Sequence, residues 1–461
     1  PPVLPVVEPD PMQDGPGPDG LEEVATLCEG QSLSFDEMFR LLLDDLRQID
    51  LDDRVFIRYL SLMSRFNAGV CSADLAVDRQ ALAEVVNLLS INSRIVLPQA
   101  INSDETLYRI DLRDYDWDRA VTVANTDSVT DYVDVWEAIA DVSPFSMPFV
   151  GVTAESVTAQ TNTLFSFMDA AALIDIASTG SLYYAAIGVD STRSLDDFLQ
   201  NGLGLVGTSL QATDSVWAGI EQSRISRGPQ LATRRQLGVR EGYVWESRSA
   251  RDEGASLLAN PLALPLGEAS VIFSLPNKLW GFVVADPTGA VAFDATVLDV
   301  NQNNFRAISA ISCLDCHSQG LVPIVDEVLP FVVANRTSFD QQTFADVQSK
   351  FVTNAELERL MNGDNAERRE ALDALSIPAG SRDPVSQVYL AFDRDLDLAR
   401  AAGELGVSAA LLRQKLPELG SPLGVLSSST LDRDDFAVAF RSALCALPPG
   451  AVNRPDPAFC P

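Results

Sequence analysis

The most informative stretch of this sequence is ISAISCLDCHSQGL, which spans residues 308–321. It contains the pattern Cys-x-x-Cys-His, formed by Cys313, Cys316 and His317. Two thiols at this spacing lie on one side of a helical turn, where each can add to one vinyl group of a haem. The imidazole of the next residue then reaches the iron as its proximal ligand. The pattern therefore predicts one covalently bound haem c.

The composition leaves few other uses for these residues. His317 is the only histidine among 461 residues, so a zinc site with several histidine ligands is excluded. A Ser/His/Asp or Cys/His catalytic unit would have to use the same side chain. A zinc site based on the two thiols would need a ligand from a distant cysteine, and a disulfide between them is the remaining structural alternative.

The second axial ligand of the iron distinguishes electron carriers from ligand-binding haem proteins. No second histidine is available in the chain, and methionine is the usual alternative. Met361, 44 residues after His317, is the first candidate, and Met147 in the segment FSMPF is the second. An iron whose sixth position is open or otherwise filled is the third alternative.

Other residues near the motif have expected roles in holding the haem. The carbonyl of Pro323 would orient the histidine N–H, unless Pro323 is an ordinary loop proline. Haem propionates need donors or positive charge, and Arg306 and Arg336 are the arginines closest in sequence. A helix over residues 303–312 is expected to deliver the attachment site, and Gly320 to end the turn after it.

The remaining cysteines are expected to form disulfide bonds, because haem c is attached outside the bacterial cytoplasm, where conditions are oxidising. Proximity in the chain favours Cys28 with Cys71 and Cys445 with Cys460 among three pairings. Each bond would stabilise the protein by about 3 kcal/mol through loop closure. Free buried thiols are the alternative.

The hydrophobic pattern predicts an α+β fold, with mainly helical ends around a mixed middle that contains short antiparallel strands. Ser34 and Glu37 form a capping box that begins the first helix. Further helices are predicted over 53–66, 75–90, 131–140, 167–177, 194–200, 365–375 and 384–402. Strands are predicted over 107–113, 269–275, 279–285 and 290–294. The predicted regions are a Pro/Gly-rich tether at 1–25, a helical region at 26–150, a mixed region at 151–300 and a helical haem region at 301–461.

The net charge of −32 constrains the partners. Such a surface repels phosphate backbones and anionic lipid, which argues against a nucleic-acid role. Only three lysines are present, so any redox partner that docks electrostatically is expected to be basic. No apolar run is long enough to predict a membrane span. The start at Pro1 fits removal of a signal peptide, and the tether would suit a lipid-anchored protein.

Four stretches carry a resemblance to a known family. They read IRYLSLMSRFNAG (57–69), LYRIDLRDYDWD (107–118), IFSLPNKLWGFVVAD (272–286) and ISAISCLDCHSQGL (308–321). They resemble corresponding segments of a family of large bacterial exported monohaem c-type proteins, over about residues 35–330. Lys278 and Trp280 depart from the family pattern after Leu-Pro-Asn, and Leu321 replaces a methionine often found after the haem site. The resemblance implies a haem-c protein of the cell envelope and implies no particular reaction.

The sequence therefore predicts an exported monohaem cytochrome that transfers electrons, in the periplasm or on the outward-facing cell envelope. Because the chain is much longer than a minimal cytochrome needs, it is expected to work within or alongside a larger envelope complex. One alternative is a haem-based ligand sensor or peroxide-reactive enzyme with an open iron site. Another is a structural or interaction subunit whose haem mainly stabilises the fold.

Overall fold

A computed structural model describes residues 28, 32–125, 128–206, 214–223, 226, 228–238, 242–252, 254–263, 266–298, 304–447 and 449–461. The fold is α+β, as predicted, with 45% helix and 18% strand, and an antiparallel sheet lies between helical N- and C-terminal parts. The predicted tether lies outside the described residues. Within those residues, no helix combines the length and apolar character needed to cross a bilayer.

The helices and strands are numbered separately in chain order. The helices are α1 Phe35–Leu46, α2 Met63–Asn67, α3 Ala76–Leu88, α4 Val135–Val142, α5 Val152–Thr161, α6 Ala170–Ala177, α7 Gly180–Ala186, α8 Leu195–Asp197, α9 Ile311–Cys316, α10 Val328–Ala334, α11 Gln341–Lys350, α12 Asn354–Ala374, α13 Pro384–Asp393, α14 Leu398–Glu404, α15 Ala409–Leu419 and α16 Arg433–Ala446. The strands are β1 Ile57–Ser61, β2 Gln99–Ala100, β3 Leu107–Asp111, β4 Val121–Asn125, β5 Ser128–Tyr132, β6 Phe149–Val150, β7 Phe167–Asp169, β8 Val216–Ile220, β9 Gln230–Gln236, β10 Tyr243–Ala250, β11 Leu266–Ser274, β12 Trp280–Ala285, β13 Val291–Ala292, β14 Asp294–Leu298, β15 Asn304–Ile308 and β16 Arg454–Pro455.

A six-stranded antiparallel sheet forms the middle of the protein, in the order β13-β12-β11-β10-β9-β8. Its β11–β12 hairpin pairs Ile272 with Phe282 and turns through Asn277 and Lys278, as the sequence predicts. Lys278 has a φ of 71°, a backbone conformation that favours glycine. A second, four-stranded sheet has the order β2-β3-β1-β7.

Two helix predictions are wrong because sheet pairing overrides local preference. Residues 53–66 contain a short 3₁₀ turn and then β1, which lies between β3 and β7 with all five residues buried, and only the end of this segment, from Met63, is helical. Of the segment predicted as a helix over 303–312, Asn304–Ile308 is β15, which pairs with β14, and the helix α9 begins only at Ile311. β1 pairs with strands that lie far away in sequence, and β15 pairs with β14, which is itself short. In both cases strand pairing outweighs the local preference for helix.

Several other element boundaries differ from the prediction. The helix predicted over 384–402 is two helices, because an antiparallel bridge between Leu396 and Leu431 interrupts it. Conversely, α12 runs without a break through Gly363 and begins eleven residues before the predicted 365–375. Parts of the predicted 131–140, 167–177 and 194–200 segments are strand or π-helix instead. The first helix agrees, with Ser34 Oγ accepting a hydrogen bond from the Glu37 N–H at 3.2 Å.

The two ends of the chain share a hydrophobic core that is separate from the core of the large sheet. In this second core, α1 packs with residues of α14, α15 and α16. The Asp36 carboxylate on α1 accepts hydrogen bonds from the N–H groups of Ala451, Val452 and Asn453. The large core instead contains the six-stranded sheet together with residues of α3, α6, α7, α9, α12 and α13.

Two disulfide bonds close loops at opposite ends of the sequence. Cys28 is joined to Cys71 and Cys445 to Cys460, the two pairings that proximity in the chain favours. Disulfides of this kind form and persist in oxidising compartments. The structure therefore indicates a location outside the reducing cytoplasm.

A buried ion pair within the second core generates a stability prediction. Arg433 and Glu404 are joined by two hydrogen bonds of 2.7 and 2.8 Å, and both side chains are buried or nearly so. Glu404→Gln should lower the free energy of unfolding by about 3 kcal/mol, because it leaves the Arg433 charge buried without its counter-ion. Urea unfolding followed by circular dichroism measures this change.

The matched control is Glu418→Gln, which breaks the exposed pair between Lys415 and Glu418 on α15. That substitution should change the unfolding free energy by less than about 0.5 kcal/mol, because solvent screens an exposed pair. Equal effects of the two substitutions would contradict a specific role for the buried pair.

Candidate functional site

The two thiols of the Cys-x-x-Cys-His motif lie on one short helix, α9. The His317 N–H donates to the Cys313 carbonyl at 2.9 Å, which continues the helical turn to the histidine. Cys313 is partly buried against the large core, Cys316 is exposed, and both cysteines are free. Burial raises the pKa of Cys313 to about 12, so this sulfur is a protonated thiol at neutral pH. Because both cysteines are free, the motif contains no disulfide, which was the structural alternative.

The ring of His317 is oriented through one of its two nitrogens. Nδ1 lies 3.1 Å from the carbonyl oxygen of Gly320, which fixes the tautomer that carries its proton on Nδ1. The expected role of Pro323 is thus filled by Gly320. Its φ of 119° and the 2.7 Å approach of Asn365 Oδ1 to a Cβ at this position both require glycine. No hydrogen bond of Nε2 is found in the described part of the chain, so this nitrogen keeps its lone pair.

Aromatic rings of β12 surround the imidazole. The ring centroids of Trp280 and Phe282 lie 6.3 and 6.2 Å from that of His317. Burial lowers the pKa of His317 to about 4, the positive charge of Arg368 acts in the same direction, and the hydrogen bond to Gly320 opposes both. The imidazole is consequently neutral at physiological pH, which is the form that ligates a metal.

Arg368 on α12 contacts both the motif and β12. Its Nη1 donates to the carbonyl of His317 at 2.6 Å, and its guanidinium lies 4.5 Å from the centre of the Trp280 ring. The side chain is buried, so this positive charge is held close to the histidine with little solvent screening.

A hydrogen-bond network attaches α12 to the six-stranded sheet. The Trp280 Nε1–H donates to the Tyr243 hydroxyl at 2.8 Å, and that hydroxyl donates to the Asp364 carbonyl at 2.8 Å. The Asp364 carboxylate accepts two hydrogen bonds of 2.8 Å from Arg234 and one of 2.7 Å from Trp245. These contacts fix the helix that carries Arg368 relative to β10 and β12.

Residues at the start of α13 also contact α9. Arg382 forms two hydrogen bonds, of 2.7 and 2.9 Å, with the carboxylate of Asp315 in the middle of the motif. The Ser386 hydroxyl oxygen lies 3.1 Å from the Ile311 carbonyl oxygen. The attachment helix is therefore held between α12 and α13, and its position depends on residues up to 75 positions away.

The remaining predicted site residues are distributed over the molecule. Met361 is buried on α12, one turn before Asn365, in the same core as Ile311 and Leu314. Met147 lies in the second core, which contains no residue of the motif. Arg336 contacts the Phe344 ring at 4.2 Å, and the side chain of Arg306 lies outside what the structure describes.

Some residues around the motif belong to no recognisable pattern. Glu84 and Asp383 lie next to Arg368 in the large core, and the negative charge of each acts to raise the pKa of its guanidinium. Only one signal in the sequence points to them, namely that Glu84 is the single charged residue in the apolar run ALAEVVNLL at 81–89. A lone charge in such a run is costly to bury unless it has a partner.

The chemistry of these donors fits a covalently bound haem c. Two free thiols one helical turn apart and a neutral imidazole with an available Nε2 are the groups that such a haem requires. The alternative of a metal ion held by protein side chains alone has no support in the described ranges. They contain no group of three or more His, Cys, Asp or Glu side chains arranged to hold a metal.

Comparison with known proteins adds no relative to this description. No family model matches the chain, and neither a curated protein nor a solved structure does. The site therefore has to be interpreted from its own geometry.

Proposed function

We propose that this protein is an exported monohaem c-type cytochrome that transfers electrons. The observation that carries the proposal is the arrangement of His317, whose Nδ1 is held by Gly320 while Nε2 stays neutral and available beside two free thiols. When bound, a haem supplies a one-electron ferric/ferrous couple. Cys313 and Cys316 would hold it covalently, and His317 would supply the proximal nitrogen.

The surrounding residues suit electron transfer because hydrogen bonds and aromatic contacts hold them in place. Gly320 and Asn365 hold the loop after the histidine, and Trp280 and Phe282 limit water around the imidazole. A rigid, partly desolvated site needs little reorganisation when its charge changes, which favours fast electron exchange. Met361 remains the proposed second axial ligand.

The proposed location is the periplasm or the outward-facing cell envelope, where haem c is attached and disulfides persist. A lipid anchor on the tether is compatible with this location. The net charge of −32 favours a basic redox partner, and the length of the chain favours a larger envelope assembly.

Covalent attachment is the first prediction of this function. The protein, expressed in a bacterium that exports it and attaches haem c, should retain one haem per chain after denaturation. Cys313→Ser and Cys316→Ser together should abolish this retention, because the thioether bonds need both sulfurs. The measurement is haem staining of denatured protein, together with its intact mass.

The control for attachment is a variant that removes the Cys28–Cys71 disulfide by replacing both residues with Ser. It loses the same number of sulfurs and should keep the haem, since neither cysteine belongs to the motif. Wild-type protein without covalent haem would disprove the proposed function.

The second prediction concerns the axial ligand. Reduced wild-type protein should show a low-spin absorption spectrum that carbon monoxide does not change, because methionine fills the sixth position. Met361→Ala should produce a high-spin spectrum that shifts on addition of carbon monoxide. Met147→Ala is the matched control, since this buried methionine lies in the other core and its loss should leave the spectrum unchanged.

A wild-type spectrum that already shifts with carbon monoxide would exclude methionine ligation and favour ligand sensing or peroxide chemistry. A low-spin spectrum in Met361→Ala would assign the sixth position to another side chain.

A further inference from the structure

Two carboxyl groups and one guanidinium meet inside the large core next to the haem motif. Glu84 projects from α3, Asp383 immediately precedes α13, and Arg368 projects from α12. Their exposed fractions are 1%, 3% and 3%. Charged groups this deeply buried are retained only when their charges are compensated.

The charges of this cluster do not balance if both acids are ionised. Two carboxylates would then face the single buried cation, Arg368, and the cluster would carry a net negative charge in the protein interior. One proton on the carboxyl pair makes the cluster neutral. Burial raises the pKa of Glu84 well above its usual range and that of Asp383 in the same direction, and the two carboxyl groups act on each other.

The hydrogen bonds of the cluster also indicate where one proton can bind. Asp383 accepts hydrogen bonds from the backbone N–H and the hydroxyl of Ser386, at 2.8 and 3.0 Å. The Oε2 of Glu84 has no hydrogen-bond donor among the described residues. Because the two carboxyls lie within hydrogen-bonding reach, a proton between them satisfies this oxygen.

The cluster is connected to the proposed iron ligand through a single side chain. Arg368 faces both carboxyls and donates a hydrogen bond to the His317 carbonyl at 2.6 Å. The other charged or titratable groups that face the cluster are Arg369 on α12, Tyr243 on β10 and Arg382, which is paired with Asp315. A change of one unit of charge on the carboxyl pair therefore acts on the site at short range and through protein rather than solvent.

We propose, on the basis of the function proposed above, that the Glu84–Asp383 pair is a proton-binding site whose occupancy is coupled to the electron held at the haem site. When a one-electron donor protein reduces the site, a proton from solvent forms an O–H bond on the pair. When the electron leaves to an acceptor, that bond breaks and the proton returns to solvent, and the positive charge gained at the site offsets the negative charge of the second carboxylate. The coupling is reciprocal, so protonation of the pair also favours reduction.

The test is the midpoint potential of the haem-containing protein, measured between pH 5 and 9. Wild-type potential should fall with rising pH, approaching 59 mV for each tenfold change in proton concentration where one proton accompanies one electron. Glu84→Gln and Asp383→Asn should each flatten this slope, because an amide cannot take up the proton. Asparagine also serves as a helix N-cap, so Asp383→Asn should leave the start of α13 intact.

The matched control is Glu370→Gln, which removes an exposed carboxylate from the same helix as Arg368. Its slope should equal that of the wild type. A pH-independent wild-type potential, or a slope that survives both amide substitutions, would overturn the coupling while leaving electron transfer in place. Absence of haem would overturn electron transfer and the coupling together.

A second measurement detects the proton without using the redox couple. A carboxyl whose pKa is raised by folding stabilises the protein at low pH, and this contribution is lost as pH rises through the folded-state pKa. The free energy of unfolding of Glu84→Gln should therefore decrease less with rising pH than that of the wild type. Identical pH dependence in the two proteins would show that the pair is not protonated and would overturn the proposal.

Discussion

The buried charge of Arg368 is the constraint on which the site depends. An arginine cannot shed its proton in a protein, so its burial requires permanent partners around it. Here they are the carbonyl of His317, the face of Trp280 and the two carboxyls of Glu84 and Asp383. These partners come from the haem motif, the sheet, α3 and the segment before α13. One guanidinium therefore joins four parts of the chain around the histidine.

The six-stranded sheet supplies the rigid side of this arrangement. Trp280 on β12 donates a hydrogen bond to Tyr243 on β10, and Tyr243 in turn donates one to Asp364 on α12. Because α12 is continuous over 21 residues, fixing Asp364 also fixes Arg368 one turn later. The position of the Arg368 charge next to the motif thus follows from the contacts of Asp364, which does not touch the motif itself.

The local part of the site could be predicted from sequence, and the long-range part could not. The spacing of Cys313, Cys316 and His317 specifies one helical turn, so it is readable without any tertiary information. The strand at Ile57–Ser61 is specified by its pairing with β3 and β7, and local pattern alone predicted a helix there. The sequence predicts Pro323 as the carbonyl partner of His317, with an ordinary loop proline as the alternative, because a proline commonly has this role. The structure uses Gly320, since Asn365 from α12 fixes the loop one turn earlier.

The same contacts give most of this long chain a role at the proposed haem site. In a minimal cytochrome, residues close to the motif in sequence hold the haem, and few other groups act on the histidine. Here Glu84, Trp280 and Asp383 lie far from the motif in sequence. Trp280 contacts the ring of His317, and the two carboxyls act on Arg368, which is hydrogen-bonded to His317. The additional chain builds a dry interior next to the histidine, and only such an interior lets the charge of a distant carboxyl pair influence the site strongly. The large sheet and its surrounding helices therefore contribute directly to the proposed haem site through Trp280, Glu84 and Arg368.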